Sequence, residues 1–348
     1  MARSALIVGG SGQIGRAVAL RLAEDGWRVV AGQRKPWVLP EGLRRLGVTT
    51  ATLDRATPGA LAAAVGTGVD AVIDMVAYDE SHARQLLDVQ SDVGAFVILS
   101  SASVYRDGRG RSLDEARDTG FPEFPTPIGE DQPTVEPGPE TYSTRKVALE
   151  QTLLNNGRRP VTILRPGAIH GPGSTHPREW FFVRRILDKR RAVPLAYRGA
   201  SRFHTSATVN IAELCRAALA DPRTRVLNAG DPDAPTVTEI GAAIAAAYDH
   251  DWRLIPMDGP PVGMVGGSPW AIAHPIVLDM SHAEAIGYRA VTSYDKAVGG
   301  ACRSAEASAR AGVKFPAYIE ALFDYAAEDA WLAGRGRERG HPGRSSQR

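Results

Sequence analysis

Residues 9–15, Gly-Gly-Ser-Gly-Gln-Ile-Gly, constrain this chain more than any other segment. They follow an apolar run, residues 5–8, and open a stretch, residues 13–25, that sets Ile14, Val18 and Leu22 on one helical face. Strand, glycine turn and helix in that order put glycine where the backbone must turn tightly and approach a ligand closely. Free amides and the positive end of the helix dipole then face a phosphate or pyrophosphate. The segment fits two spacings, G-x-x-G-x-x-G through Gly9, Gly12 and Gly15, and G-x-G-x-x-G through Gly10, Gly12 and Gly15. Gln13 and Ile14 open the helix and belong to the same candidate phosphate turn.

Beyond the turn, short apolar runs alternate with longer helical patterns, the signature of β-α-β units and a parallel sheet. Strands are expected at residues 5–8, 28–31, 48–53, 71–75, 95–99 and 161–164, and helices at 13–25, 59–65 and 142–155. Between residues 106 and 140 the periodicity fails and proline and glycine scatter, so a long excursion is expected there, a candidate cover for a substrate. After Arg165 the pattern is more broken, with helices expected at 180–187, 209–219, 240–248 and 316–331. The predicted fold class is α/β, a Rossmann-type doubly wound parallel sheet with a smaller α/β substrate-binding domain. Residues 1–165 form the first, residues 166–333 mainly the second with a part returning to the sheet, and residues 334–348 a disordered basic tail.

The 348 residues carry 41 Lys+Arg against 39 Asp+Glu, a formal charge of +2. The last fourteen residues hold five arginines and one glutamate, so the tail carries +4 and the body −2, which speaks against nucleic acid as a partner. Cys215 and Cys302 offer neither a disulfide framework nor a zinc spacing, and two free thiols are expected. His170, His176 and His204 share no short repeated spacing, so no metal is expected. No run approaches the ~18 apolar residues of a membrane span. With no leader pattern before the first strand, a cytoplasmic protein without a membrane partner is expected. Arg184, Arg185, Lys189, Arg190 and Arg191 read as a solvated helix face, and Trp180, Phe181 and Phe182 as either pocket wall or core.

Two further segments carry chemistry. The second strand ends in Ala31-Gly32-Gln33-Arg34-Lys35, with no acid to take a ribose 2′-hydroxyl. Arg34 and Lys35 can instead neutralise a 2′-phosphate, which favours NADP over NAD; the alternative is a pair of solvated turn residues. Tyr142 and Lys146 stand four residues apart, on one helical face. A free phenol titrates near 10, and a cation one turn away favours its phenolate. Lys146 is one of only five lysines beside 36 arginines, which suggests a site where a compact ammonium is needed. The fifth strand ends in Leu99-Ser100-Ser101-Ala102-Ser103-Val104-Tyr105, and a hydroxyl at that carboxyl end could hold a substrate oxygen beside Tyr142.

Together with Asp54 after the third strand and the segment Leu164-Arg165-Pro166-Gly167-Ala168-Ile169-His170-Gly171-Pro172-Gly173, these motifs resemble the extended short-chain dehydrogenase/reductase family, also called the NAD-dependent epimerase/dehydratase family. The resemblance spans roughly residues 2–258. It implies Ser101, Tyr142 and Lys146 as the catalytic residues, with Tyr142 the acid/base, Lys146 at the nicotinamide ribose, Asp54 near the adenine and Pro166 beside the nicotinamide. It also implies a homodimer acting on a small-molecule substrate, by hydride transfer at a hydroxyl or keto carbon. Ser103, His170 and Arg202 are the candidate substrate contacts. The chain departs from the family in four places. Ser101 and Tyr142 are 41 residues apart, longer than usual; Ala102-Ser103 replaces the Asp-Glu of the dehydratases; Ala168 stands where many sugar-nucleotide members have asparagine; and the downstream Arg-aromatic-His segment survives only loosely as Arg202-Phe203-His204. The function expected is an NAD(P)-dependent epimerase or oxidoreductase. The alternatives are an NADPH-dependent carbonyl reductase and a nucleotide-sensing or RNA-binding relative without catalysis.

Overall fold

The structure, a computed structural model, describes residues 2–339. The chain begins β1 Ser4–Val8, α1 Gln13–Glu24, β2 Arg28–Gln33, α2 Glu41–Arg45, β3 Thr49–Thr52, α3 Ala60–Val65, β4 Val69–Asp74, α4 Glu80–Asp88 and β5 Val93–Leu99. The excursion follows, with the short helix α5 Ala116–Thr119, and then α6 Tyr142–Asn156, β6 Val161–Pro166, β7 Ala168–His170 and α7 Trp180–Leu187. Next come β8 Ala192–Leu195, β9 Thr205–Ala207, α8 Thr208–Ala220, β10 Arg225–Ala229, α9 Val237–Ala247 and β11 Arg253–Pro256. The helices α10 Ser281–Ala285, α11 Tyr294–Arg310, α12 Ala317–Glu320 and α13 Tyr325–Arg339 complete it.

Among the described residues, seven strands form one parallel sheet in the order β10-β6-β5-β4-β1-β2-β3. The period of two along each strand divides its side chains between two buried layers. Ala5 and Ile7 of β1 face Val18 and Leu22 of α1 and Ile211 and Leu214 of α8, while Leu6 and Val8 face the layer of Leu86 from α4 and Leu149 and Leu153 from α6. Strand order reverses between β1 and β4, and their carboxyl ends open the crevice where ligands gather in such sheets. Part of the chain after Arg165 lies in this sheet, since β10 extends it beside β6. A separate apolar cluster joins Trp180, Phe181 and Phe182 of α7 to Ile240 and Ile244 of α9 and to Val298 and Cys302 of α11, which makes the three aromatics core.

Several expectations shift. The third strand is shorter than residues 48–53, because Thr49–Thr52 forms the half-exposed edge of the sheet. The helices expected from the sequence do not include α4 or the 17-residue α11, whose buried stripe is Tyr294, Val298, Ala301, Cys302 and Ala305. The single helix expected at 316–331 is two. Arg185 Nη2 donates to the Leu322 carbonyl at 2.8 Å, and Asp324 starts a new helix by accepting from the Ala327 amide at 3.0 Å. Helix α13 runs to Arg339, past the expected start of a frayed tail at Gly334; positions 340–348 lie outside the described residues. Arg185 is not solvated. It is 1% exposed, paired with Glu328 and laid over the Phe181 ring at 3.9 Å.

The excursion is anchored and does not cover the cleft. Phe124 and Ile128 pack with Tyr105, Ile276 and Leu278 in a core of their own. Asp107 organises the rest, accepting from the Arg109 and Arg111 amides at 2.9 Å each, the Glu123 amide at 3.0 Å and Arg111 Nε at 2.8 Å. Burial raises the Asp107 pKa, but these donors prevail and bring it down to about 2. A depressed carboxylate stabilises the fold above its unfolded value of ~3.9 and loses that contribution as pH falls toward the folded value. Asp107→Asn should therefore cost about 1–3 kcal/mol at pH 7. Denaturant titrations across pH should show this gap constant above pH ~5 and closing toward the acid side.

Candidate active site

The phosphate turn is built by backbone contacts. Gly9 has φ +84°, and the Gly9 and Gly10 amides both donate to the Gly32 carbonyl at 3.0 Å, tying the turn to β2. A Cβ on Gly15 would lie 2.2 Å from the Gly9 carbonyl oxygen, so only glycine lets α1 start so close to the turn. The Gln13, Ile14 and Gly15 amides form the first turn of α1, where no intrahelical acceptor exists, and Gly12 offers no side chain to cap them. Gln13 Oε1 and, at the end of β2, Gln33 Oε1 are buried without a partner. Free amides and unpartnered acceptors around one crevice fit a dinucleotide. Arg34 and Lys35 follow on the surface as exposed cations. Asp54 follows β3, with Oδ1 accepting from the Ala56 amide at 3.1 Å.

At the centre of the crevice the Lys146 ammonium is 4% exposed and donates to two carbonyls, Ala77 at 2.6 Å and Leu99 at 2.9 Å. It thus ties α6 to the ends of both β4 and β5. Burial pushes its pKa down to about 8, against the pull of Asp74 and Glu150. Asp74, which sequence reasoning did not single out, fixes the Ala77 carbonyl. One of its oxygens accepts from the Val76 amide at 3.0 Å and the Ala77 amide at 2.8 Å, and the other pairs with Arg55. Its only signal in the sequence is an acid closing an apolar strand.

Lys146 Nζ stands 5.7 Å from the centre of the Tyr142 ring, which the Thr141–Thr144 capping box holds at the start of α6. Tyr142 is 41% exposed at the cleft; desolvation raises the pKa of its phenol and the Ser101 side chain opposes the rise. A chain of hydroxyls fixes Ser101. Ser143 Oγ donates to Ser103 Oγ at 2.9 Å, Ser101 Oγ and Ser103 Oγ are 3.0 Å apart, and the Ser103 amide donates to Ser101 Oγ at 3.1 Å. Asp114 of the excursion reaches back to the Ser143 amide at 2.7 Å, so the excursion positions this helix end. Ser101, Ser103, Tyr142 and Pro166 line a 450 Å³ cavity together with Arg178 and Tyr318. A larger groove of 720 Å³ lies over the outer side of α6 and contains none of these hydroxyls.

Two candidate substrate contacts lie elsewhere. His170 is 1% exposed, with Nε2 2.7 Å from Asp231 Oδ2. Asp231 also accepts from Thr205 Oγ1 and the Ala207 amide at 2.7 Å each and from Asn210 Nδ2 at 2.8 Å, so His170 belongs to a buried polar knot behind the cleft. Arg202 is turned to the Ala234 carbonyl, on a separate surface groove with Asp233 and Glu239. Sequence reasoning passes over Arg178 and Tyr318, because the loop before α7 and the turn at α12 meet the sheet only in three dimensions. Among the described residues, no three His, Cys, Asp or Glu side chains converge on a metal-sized site.

The profile of the NAD dependent epimerase/dehydratase family matches residues 5–230, nearly two-thirds of the chain, over the elements just described. The chain belongs to this family. It is an NAD-dependent enzyme on a Rossmann-type α/β fold. The structure resembles MoeE5 solved with UDP-glucose and NAD, at 20% identity and TM-score 0.63 over 88% of this chain and 99% of that one. It also resembles the UDP-glucose 4-epimerase of Thermus thermophilus with NAD, at 19% identity and TM-score 0.64 over 86% and 98%. WbmH of Bordetella bronchiseptica with NAD+ gives 18% and 0.66 over 88% and 99%. At these identities the likeness is one of fold. No curated protein matches by sequence.

Within this family member, the Arg55–Asp74 pair at the floor of the site should behave as a buried ion pair. Asp74→Asn leaves the guanidinium unpaired and should cost about 3–5 kcal/mol in chemical denaturation. Adding Arg55→Met removes the orphaned charge and should restore part of that loss.

Proposed function

We propose that the enzyme moves a hydride at a hydroxyl or keto carbon, with Tyr142 as acid/base, Ser101 holding the substrate oxygen and Lys146 holding the charge that favours the phenolate. The observation that carries this reading is that Ser101 and Tyr142 line one cavity, with the Lys146 ammonium 5.7 Å from the centre of the phenol ring. Charge placed there lowers the cost of a phenolate that burial alone raises. Ser101 can donate to a substrate oxygen while the phenol delivers or removes its proton, and Ser103 and Ser143 keep that hydroxyl from rotating away.

The Gln13, Ile14 and Gly15 amides suit the cofactor's pyrophosphate, Asp54 its adenine end, and Pro166 and Lys146 its nicotinamide end. When bound, the nicotinamide supplies the hydride donor or acceptor. Gln33 Oε1 suits a 2′-hydroxyl, and the exposed cations Arg34 and Lys35 suit a 2′-phosphate, which extends the family's NAD chemistry to a preference for NADP. The same side chains serve epimerisation if the oxidised substrate is kept and reduced from its other face, and net oxidoreduction if it leaves. Elimination of water is disfavoured, since no carboxylate lines the cavity among the described residues.

Cofactor binding and turnover measured on the same variants test this reading. Tyr142→Phe should bind both cofactors as the wild type does and lose about 10²–10⁴-fold in turnover. Arg34→Ala with Lys35→Ala should weaken NADP about tenfold or more and NAD far less. Biological activity intact in Tyr142→Phe would favour a sensor without catalysis.

A further inference from the structure

The cavity that Tyr142 lines also carries a cation outside any salt bridge of the described residues. The Arg178 guanidinium is half-buried and lies over the Phe203 ring, 5.8 Å from its centre. Among the described residues it has no carboxylate within salt-bridge distance and no side-chain hydrogen bond, while three other arginines near the cleft are engaged. Arg55 pairs with Asp74, Arg165 donates to Glu150 at 3.1 Å, and Arg16 donates to the Ser11 carbonyl at 2.7 Å. The adjacent acid in sequence, Glu179, is 2% exposed; burial raises its pKa, His170 and Arg178 oppose the rise, and it forms no salt bridge with the guanidinium. His176 lines the same cavity, stacked on Tyr318 with ring centres 6.4 Å apart. No carboxylate lines the cavity among the described residues. A cation left partly desolvated without a partner is unfavourable unless a ligand supplies the missing charge.

Building on the hydride-transfer reading above, we propose that the substrate is a compact hydroxy or oxo compound bearing a carboxylate or phosphate, and that Arg178 anchors this anion. The size of the cavity agrees. At 450 Å³ it stands toward the small end of ligand sites, and the nicotinamide end of the cofactor shares it. The anchor is held by a flat aromatic face and not by another charge, so the fork of the guanidinium remains free for two parallel hydrogen bonds to one anion. The anion then sits in the same cavity as Ser101 and Tyr142, and its anchoring sets which carbon of the substrate meets the phenol.

Calorimetric titration of malonate, its neutral isostere malonamide, and inorganic phosphate into the protein, with and without saturating NAD+, tests this. Arg178→Gln is compared with the wild type. At least one of the two anions should bind the wild type and weaken about tenfold or more in Arg178→Gln, while malonamide binds neither and the affinity for NAD+ is unchanged. Malonate alone responding assigns a carboxylic acid, and phosphate alone a phosphate ester. Phosphate held at the glycine turn is recognised because NAD+ displaces it and Arg178→Gln does not. Anions that bind both proteins equally, or that fail to bind the wild type, overturn the proposal while NAD+ binding leaves the hydride-transfer reading standing. Failure of NAD+ itself to bind overturns that reading separately.

Discussion

One ammonium holds the active end of this molecule together. Lys146 donates to carbonyls at the ends of two neighbouring strands, Ala77 after β4 and Leu99 of β5, while its own helix presents Tyr142 one turn earlier. A guanidinium is planar and larger and cannot fill the same narrow gap with its charge at one point. This explains why a chain with 36 arginines keeps a lysine here. The cost of burying the charge is visible in its pKa, pushed down to about 8, and the surrounding structure offsets it with Asp74 and Glu150. Asp74 acts twice, by its charge and by holding the amide of Ala77, the residue whose carbonyl accepts from the ammonium.

From that point the site divides between two parts of the chain. The carboxyl ends of the central strands carry the glycine turn and Ser101, with Tyr142 and Lys146 on the helix beside them. The segments after Arg165 bring Arg178, before α7, and Tyr318 of α12 to the same cavity. Buried polar knots fasten the two parts. Asp231 joins His170, Thr205 and Asn210 in one of them, and the Tyr105 hydroxyl donates to Asn228 at 2.7 Å in another.

What can be read from the sequence follows from how local each signal is. The turn at Gly9, Gly12 and Gly15 and the Tyr142–Lys146 spacing are written in adjacent residues, because a strand-to-helix turn and one helical turn impose their own periods. The parallel sheet is legible for the same reason, as apolar runs at regular intervals. Arg185 looks solvated in the sequence since its partner Glu328 is 143 residues away, and no local pattern reports such a pairing. His170 looks like a cleft residue because it follows the sixth strand, yet Asp231 from beyond β10 draws it into the interior.

If Lys146 controls the charge of Tyr142, an ultraviolet titration of tyrosinate formation measures that control directly. The signal is the difference between the NAD+-saturated protein and its Tyr142→Phe variant, recorded with Lys146 intact and with Lys146→Met. With the lysine present, the phenol should titrate at lower pH than in Lys146→Met. Identical titration of Tyr142 in both backgrounds would contradict that control.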